Sequence, residues 1–390
     1  MIDTTMEIIL EFSDEVFNAT AVIIPGDEIS ANSFSFILNN SLTISGIYCN
    51  GKRANYEIEV IFKPDFRPFS KKILIKNDDY IHNIAITYSG TVAFSFEERS
   101  CWHNIVTRDL KSLSFYSTWY PQDTSIAINR DKVVIVNGQD YFVVKGDYNE
   151  ANNTWEYGGK GYDPFNIVVY RKDKLQIISN PFVNIYFIDD NIKAQAEESV
   201  SIYREIIDFY NGNLFKQMEI PVLDIACASP VITIGGGYRR KDFMWCTTLG
   251  NDTNEITWLN AHETAHIWCA GADYGSWEDW LNETSAEWAS LLFALHKNDT
   301  ALFDYIINPK LEKYDSLPPI KTADGSRPDG VHDKGTVLFY EMYKLYGVDA
   351  VRKAVRLFTE LEQKNTGAFI QALYDMNENE IAEFIKEGIN

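Results

Sequence analysis

Residues 259–271 read LNAHETAHIWCAG. They hold two of the chain's six histidines, His262 and His266, four residues apart, with Glu263 beside the first. On a helix, positions i and i+4 share a face, so both imidazoles can meet one ion. His-Glu-x-x-His is the pattern in which two histidines hold zinc and the glutamate serves as general base. The flanks favour a helix. Asp252 or Asn254 can cap its start, Glu255 stands three residues after Asp252, and Gly271 can end it. Leu259, His262, His266 and Cys269 fall on one stripe, which sets the histidines against an apolar interior.

A third ligand is within reach. Seventeen residues after His266, Glu283 stands in EDWLNETSAEWASLLFAL, residues 278–295. Leu281, Trp288, Leu292 and Leu295 give this stretch the pattern of an amphipathic helix. A glutamate early in a second helix, packed across the first, completes a His-His-Glu set. Such a set leaves a fourth position open for water, as catalytic zinc sites do. Cys269, one turn beyond His266, is the rival third ligand. Cysteine is often simply a small buried residue, so it ranks below Glu283. Glu278, Asp279 and Glu287 flank the site as supporting or solvated groups.

Away from this centre the chain divides in two. Roughly the first 170 residues alternate apolar and polar with turn residues between, as strands do. TAVII, SFSFIL, YEIEVIF, KKILIK, HNIAITY and TVAFSF come first, then KVVIVNG, YFVVKG and FNIVVY. Asn50-Gly51 suits a two-residue hairpin turn, where both central residues need positive φ. The pattern changes near residue 190, where Ile202, Ile206, Phe209 and Gly212 mark a helix and its stop. PVLDIACA and PVITIGGG read as strands. Further helices are predicted at 254–270, 279–297, 333–346, 348–362, 365–376 and 378–388. The expected fold class is α+β multidomain, an all-β domain over 1–175 followed by a mainly helical catalytic domain over 176–390.

Bulk composition narrows the partners. The 390 residues are 45% apolar and 14% aromatic, enough for a sizeable core and unlike a disordered or fibrous chain. A formal charge of −21 repels phosphate backbones and anionic lipid, which argues against nucleic acid. MIDTTMEIILEF lacks the basic and long apolar regions of a secretory signal, and no run is long enough to span a bilayer. The five cysteines are scattered and odd in number, which fits reduced thiols in a cytoplasm.

HETAH followed by WLNE resembles the zinc-binding core of the aminopeptidase N family of gluzincins, which includes the leukotriene hydrolases. Other stretches agree in order. SLTISGIYCNGK resembles part of that family's saddle-shaped N-terminal domain. STWYPQ, residues 117–122, resembles an aromatic-proline segment of the same domain. HDKGTVLFYEMYKLYG, residues 332–347, resembles the segment beginning Tyr-x-Lys-Gly. The resemblance covers essentially the whole chain. It implies a thermolysin-like zinc-peptidase domain and one Zn2+ held by His262, His266 and Glu283. It also implies Glu263 as the base that deprotonates water, and a peptide or small amide as substrate.

The departures define the questions. The connection CAGADYGSWED is two residues shorter than the family's usual one, while WLNE itself is intact. His332 stands where the family has the tyrosine that stabilises the tetrahedral intermediate, and an imidazole can donate the same hydrogen bond. ITIGGGYRRKDF replaces the family's Gly-x-Met-Glu-Asn strand, so the glutamate that grips a peptide's amino group has no counterpart. Gly235, Gly236 and Gly237 either let a substrate backbone approach a strand edge or form a plain turn. Set against the resemblance, the chain is expected to lack the family's large C-terminal helical domain. Three activities follow as expectations. The first is an aminopeptidase-like zinc metallopeptidase with altered amino-terminus recognition. The second is a hydrolase of a non-peptide amide or an epoxide-like small molecule on the same scaffold. The third is a non-catalytic binding relative.

Overall fold

The computed structural model describes residues 4–27, 29–30, 34–61, 70–76, 80–92, 104–122, 124–128, 130–158, 165–228, 237–240, 243–246 and 249–390. Strand alternation builds the first half. In Phe17–Ile24, Phe17, Ala19, Ala21 and Ile23 are buried while the residues between them are not. Thr5–Phe12 buries Met6, Ile8, Leu10 and Phe12 in the same way and lies antiparallel to it. On its other side Thr5–Phe12 pairs in parallel with Arg130–Val136. These strands sit inside an eight-stranded sheet. Asn50 and Gly51 have φ of 51° and 78°, and Cys49 pairs with Lys52 across the two-residue turn that the sequence predicts. Of TVAFSF only Thr91 and Val92, and of PVITIGGG only Gly237, lie among the described residues.

The sheet partner changes after Arg171. Ile167–Arg171 belongs to a four-stranded sheet of the first half. Gln176–Ser179 opens a five-stranded sheet, ordered 176–179, 183–187, 223–227, 243–246, 237–240. One face of this sheet meets the first half. Leu110, Val168 and Tyr170 pack with Tyr186, Ala226, Tyr238, Phe243 and Trp245 in a shared apolar cluster. The Tyr170 hydroxyl lies 3.1 and 3.0 Å from the carbonyls of Tyr186 and Cys227. Lys145 Nζ reaches the buried Asp224 carboxylate at 2.5 Å.

The opposite face carries helices. Eight are present among the described residues: α1 (Lys193–Phe209), α2 (Thr253–Ala265), α3 (Trp280–Lys297), α4 (Thr300–Lys313), α5 (Val331–Tyr346), α6 (Val348–Glu360), α7 (Thr366–Asp375) and α8 (Asn379–Gly388). The fold is therefore the expected one, a sheet-rich first half followed by a mainly helical domain. Helix α4 is absent from the sequence reading; Pro309 interrupts its pattern, yet the helix runs through it. Helix α3 is the central member. Every residue from Thr284 to Ala294 is buried, so it is enclosed on all sides. Helix α5 packs directly on it at Gly335, where an added Cβ would lie 2.0 Å from Thr284 Oγ1. No described helix is long and apolar enough to cross a membrane.

Candidate metal centre

Helix α2 begins as its sequence dictates. Asp252 is the N-cap, and its carboxylate accepts the Glu255 N–H at 3.0 Å. The regular helix stops at Ala265, five residues before the end expected from periodicity. The last turn tightens instead, with Trp268 N and Cys269 N both donating to the Ala265 carbonyl. This bend still leaves His262 and His266 side by side, their Nε2 atoms 3.3 Å apart. Each ring is fixed from behind. His262 Nδ1 donates to Glu287 Oε2 at 2.5 Å, and His266 Nδ1 donates to the Cys269 carbonyl at 3.0 Å. A neutral imidazole that donates through Nδ1 presents a lone pair at Nε2. Cys269 thus meets the site through its backbone, and its buried thiol is pushed well above its ordinary pKa by desolvation.

Glu283 sits in the first turn of α3, facing those lone pairs. Its Oε2 lies 3.3 Å from His262 Nε2, 3.6 Å from His266 Nε2 and 2.8 Å from His332 Nδ1. The atom is buried, yet it has no hydrogen-bond partner among the described residues. Three nitrogens close to one oxygen without hydrogen-bond alignment is the geometry of donors aimed at a common point. His262, Glu283 and His332 place ligand atoms within 4.8 Å of one another. The donor types, imidazole nitrogen and carboxylate oxygen, are those zinc takes.

Electrostatics favour a cation here. Burial works most strongly against charge on His262, but Glu287, Glu283 and Glu263 outweigh it and hold its pKa well above the usual value. His266 is also raised, because Glu283 and Glu263 overcome its burial and the repulsion of His262. Burial likewise opposes a charged Glu283, yet His332, His266 and His262 hold its carboxyl well below the ordinary range. Three carboxylates thus stand near one buried and one half-buried imidazole. Glu263 is half-buried on α2, and Arg239 Nη1 donates to its backbone carbonyl at 3.3 Å.

Two supporting groups are ones the sequence reading missed. Glu287 also accepts from Trp258 Nε1 at 3.0 Å and from Lys310 Nζ at 2.8 Å, both through Oε1. Lys310 is buried and also reaches Asp333 Oδ1 at 3.1 Å. Arg327 is the second group. Its Nε donates to the buried Asp279 carboxylate at 2.7 Å, and its Nη2 lies 3.2 Å from His332 Nε2. Lys310 continues the buried stripe of Leu302 and Ile306 on α4, the helix absent from the sequence reading. Arg327 falls in no motif, and its one signal is that it stands five residues before His332. Glu278 has a structural task, its carboxylate accepting the Thr366 N–H at the start of α7.

The glycine segment is only partly described. Gly235 and Gly236 lie outside the described residues. Gly237 starts the edge strand Gly237–Arg240, where an added Cβ would lie 2.7 Å from the Trp245 carbonyl oxygen. Close approach of the neighbouring strand is reason enough for glycine at that position. His332, in the first turn of α5, is the most exposed of the converging groups, with 47% of its side chain accessible.

No family model and no curated protein matches the sequence. Solved structures share its fold. A native yeast leukotriene A4 hydrolase superposes with a TM-score of 0.62 at 14% identity, covering 97% of this chain and 65% of that one. The same yeast enzyme in complex with bestatin gives 0.61 at 16% identity, with coverages of 98% and 66%. An M1 zinc metallopeptidase from Deinococcus radiodurans, a mutant bound to a Tyr-Ser-Ala substrate, gives 0.63 at 12% identity, with coverages of 100% and 94%. The chain thus spans about two-thirds of the yeast enzyme's length and nearly all of the bacterial one's. At these identities the likeness is one of fold, and the fold is that of the M1 zinc metallopeptidases and leukotriene A4 hydrolase.

Proposed function

We propose that the protein is a zinc-dependent metallopeptidase that hydrolyses peptide bonds, with His262, His266 and Glu283 holding one zinc ion. The observation that carries this reading is Glu283 Oε2, buried and without a hydrogen-bond partner, facing the Nε2 atoms of both histidines of the motif. When bound, zinc supplies Lewis-acid polarisation and brings the pKa of water down to about 7. Glu263, next to His262 and outside the ligand set, takes the proton of the attacking water and delivers it to the leaving amine. His332 donates from Nδ1 to the negative charge that develops on the carbonyl oxygen. Glu287 and the Cys269 carbonyl keep the two motif rings turned with Nε2 inward. Peptide-like substrates are also suggested by the neighbours, one bound to bestatin and one to Tyr-Ser-Ala.

Metal analysis of the purified protein, with a peptide panel on wild type and Glu263→Gln, tests the proposal. The expected result is about one zinc per chain in both, with turnover lost by a factor of 10² or more in the variant. Absence of zinc, or equal turnover in the variant, refutes it.

A second reading keeps the chemistry and changes the substrate to a non-peptide amide or small molecule. It is favoured by residues 231–240, VITIGGGYRR, which contain no acidic residue to grip a free amine. Free and N-blocked peptides separate the two. A clear preference for free amino termini excludes the second reading.

A further inference from the structure

We propose that Arg327 is a positioning residue: it holds the His332 ring as a hydrogen-bond donor toward the metal centre and prevents it from becoming a fourth ligand. This rests on the zinc-hydrolase reading above. His332 is placed well for either task. Its Nδ1 lies 2.8 Å from Glu283 Oε2 and shares a 4.8 Å cluster with His262 and Glu283. Bound there, it would complete a set of three histidines and one glutamate. Four protein ligands close a zinc site, whereas a hydrolytic site needs an open position. Something must decide between the two states of the ring.

The deciding contact is on the other nitrogen. Arg327 Nη2 lies 3.2 Å from His332 Nε2. A guanidinium has five N–H donors and no acceptor, so Nε2 must offer its lone pair. A neutral imidazole carries one ring hydrogen, which then sits on Nδ1, the atom that faces Glu283. Ligation through Nδ1 would move that hydrogen to Nε2 and point it at the guanidinium, donor against donor. Arg327 therefore makes Nδ1 a donor and disfavours it as a ligand.

Arg327 is held firmly enough to impose this. Its Nε donates to Asp279 Oδ2 at 2.7 Å, and Asp279 Oδ1 accepts from Asn282 Nδ2 at 2.8 Å. Asp279 is 3% exposed and immediately precedes α3, the helix that carries Glu283. A backbone bridge between Ser326 and Ser276 ties the Arg327 loop to the same stretch. One end of α3 thus positions Glu283 directly and His332 through the arginine.

Two measurements test this, neither relying on turnover. Nitrogen-15 NMR of the zinc-loaded wild type, with the His332 signals identified by their loss in His332→Ala, should place the ring hydrogen on Nδ1. Zinc affinity by chelator competition should rise about tenfold in Arg327→Met, where Nδ1 becomes free to bind. In Arg327→Met/His332→Ala the affinity should return to that of His332→Ala alone. A merely structural arginine would loosen zinc in Arg327→Met whether or not His332 is present, and one acting by charge on Glu283, whose Oε1 lies 3.9 Å from Nη2, would raise affinity equally in the His332→Ala background; either result overturns the inference. Zinc bound in wild type with the hydrogen on Nε2, or affinity in Arg327→Met no higher than wild type, overturns the inference alone. No zinc in wild type overturns the hydrolase reading and this inference with it. If Arg327→Met does not fold, the wild-type spectrum decides.

Discussion

The exchange Glu287→Gln alters one atom type at the point where the proposed metal centre is held from behind. Glu287 is 1% exposed, and its two oxygens serve three donors: His262 Nδ1 at 2.5 Å, Lys310 Nζ at 2.8 Å and Trp258 Nε1 at 3.0 Å. Glutamine has one acceptor and one donor group in that space. If its oxygen turns to Lys310 and Trp258, its NH2 faces His262 Nδ1. The ring must then accept there, and its hydrogen moves to Nε2, the atom that faces Glu283 and His266. A ring in that state has no lone pair for a metal. If the oxygen turns to His262 instead, the NH2 confronts an ammonium and an indole N–H. The first arrangement costs the ring its metal-facing lone pair, and the second leaves Lys310 and Trp258 without that acceptor.

The magnitudes follow from those contacts. Loss of a partner that orients a metal-binding histidine costs about 10–100-fold in metal affinity, which is about 1.4–2.8 kcal/mol. Stability falls separately. Burial opposes charge on Lys310, and Glu287 and Asp333 together hold its pKa above normal. With Glu287 neutral, Asp333 at 3.1 Å is the remaining anion of that pair of contacts. Breaking a buried ion pair from one side costs about 3–5 kcal/mol. Chelator competition reads the first loss and urea unfolding of the metal-free protein reads the second. In Glu287→Gln/Lys310→Met the stranded ammonium is gone, so stability should largely recover while zinc affinity stays low. A zinc Kd for Glu287→Gln within twofold of wild type, in a folded protein, would refute the claim that Glu287 sets the His262 ring.

Gly335→Ala should lower stability by about 1–3 kcal/mol, the usual cost of overpacking, because its Cβ would lie 2.0 Å from Thr284 Oγ1 and 3.1 Å from Trp280 Cε3. His332 is three residues earlier on α5, so turnover should fall as well; thermal unfolding and peptide assays report the two effects. Lys145→Met removes the 2.5 Å partner of Asp224, a carboxylate 5% exposed between the first half and the five-stranded sheet. Because Lys145 itself is 28% exposed, the expected loss is about 2 kcal/mol, below the fully buried case, measured by urea unfolding.

Short-range features were legible in the sequence, and long-range partners were not. The spacing of His262 and His266 fixes one helix face, the Asp252 cap marks where α2 begins, and Asn50-Gly51 dictates a turn. Each depends on residues within a few positions of one another. The strand Thr5–Phe12 escaped the strand reading although its alternation is regular. Lys310 and Glu287 are separated by 23 residues, and Arg327 and Asp279 by 48. No period connects such pairs, since their meeting depends on how α3, α4 and the loop before α5 pack. The end of α2 was overestimated for a related reason. Its last turn is shaped by the Ala265 carbonyl taking two N–H donors and by the His266 bond to Cys269, which hydrophobic spacing does not report.

The short connection between His266 and Glu283 shows why spacing alone is a weak guide to ligand geometry. Sixteen residues separate the two. The position of Glu283 does not depend on their number, because the connection is clamped partway. The Asn282 side chain accepts from Ala272 N and donates to the Ala272 carbonyl, both at 3.1 Å. Its Nδ2 also reaches Asp279. Asn282 is thus bonded to the middle of the connection and to the cap of α3, and Glu283 is the next residue. Behind it, Trp280 Nε1 donates to Thr366 Oγ1 at 2.8 Å and Trp288 Nε1 to the Thr336 carbonyl at 2.9 Å, which fixes the rotation of α3 against α7 and α5. Residues 273–275 lie on the exposed side of the clamp. The carboxylate is placed by the Trp-Leu-Asn-Glu run and its partners, so a sequence comparison should weigh that run above the length of the loop before it.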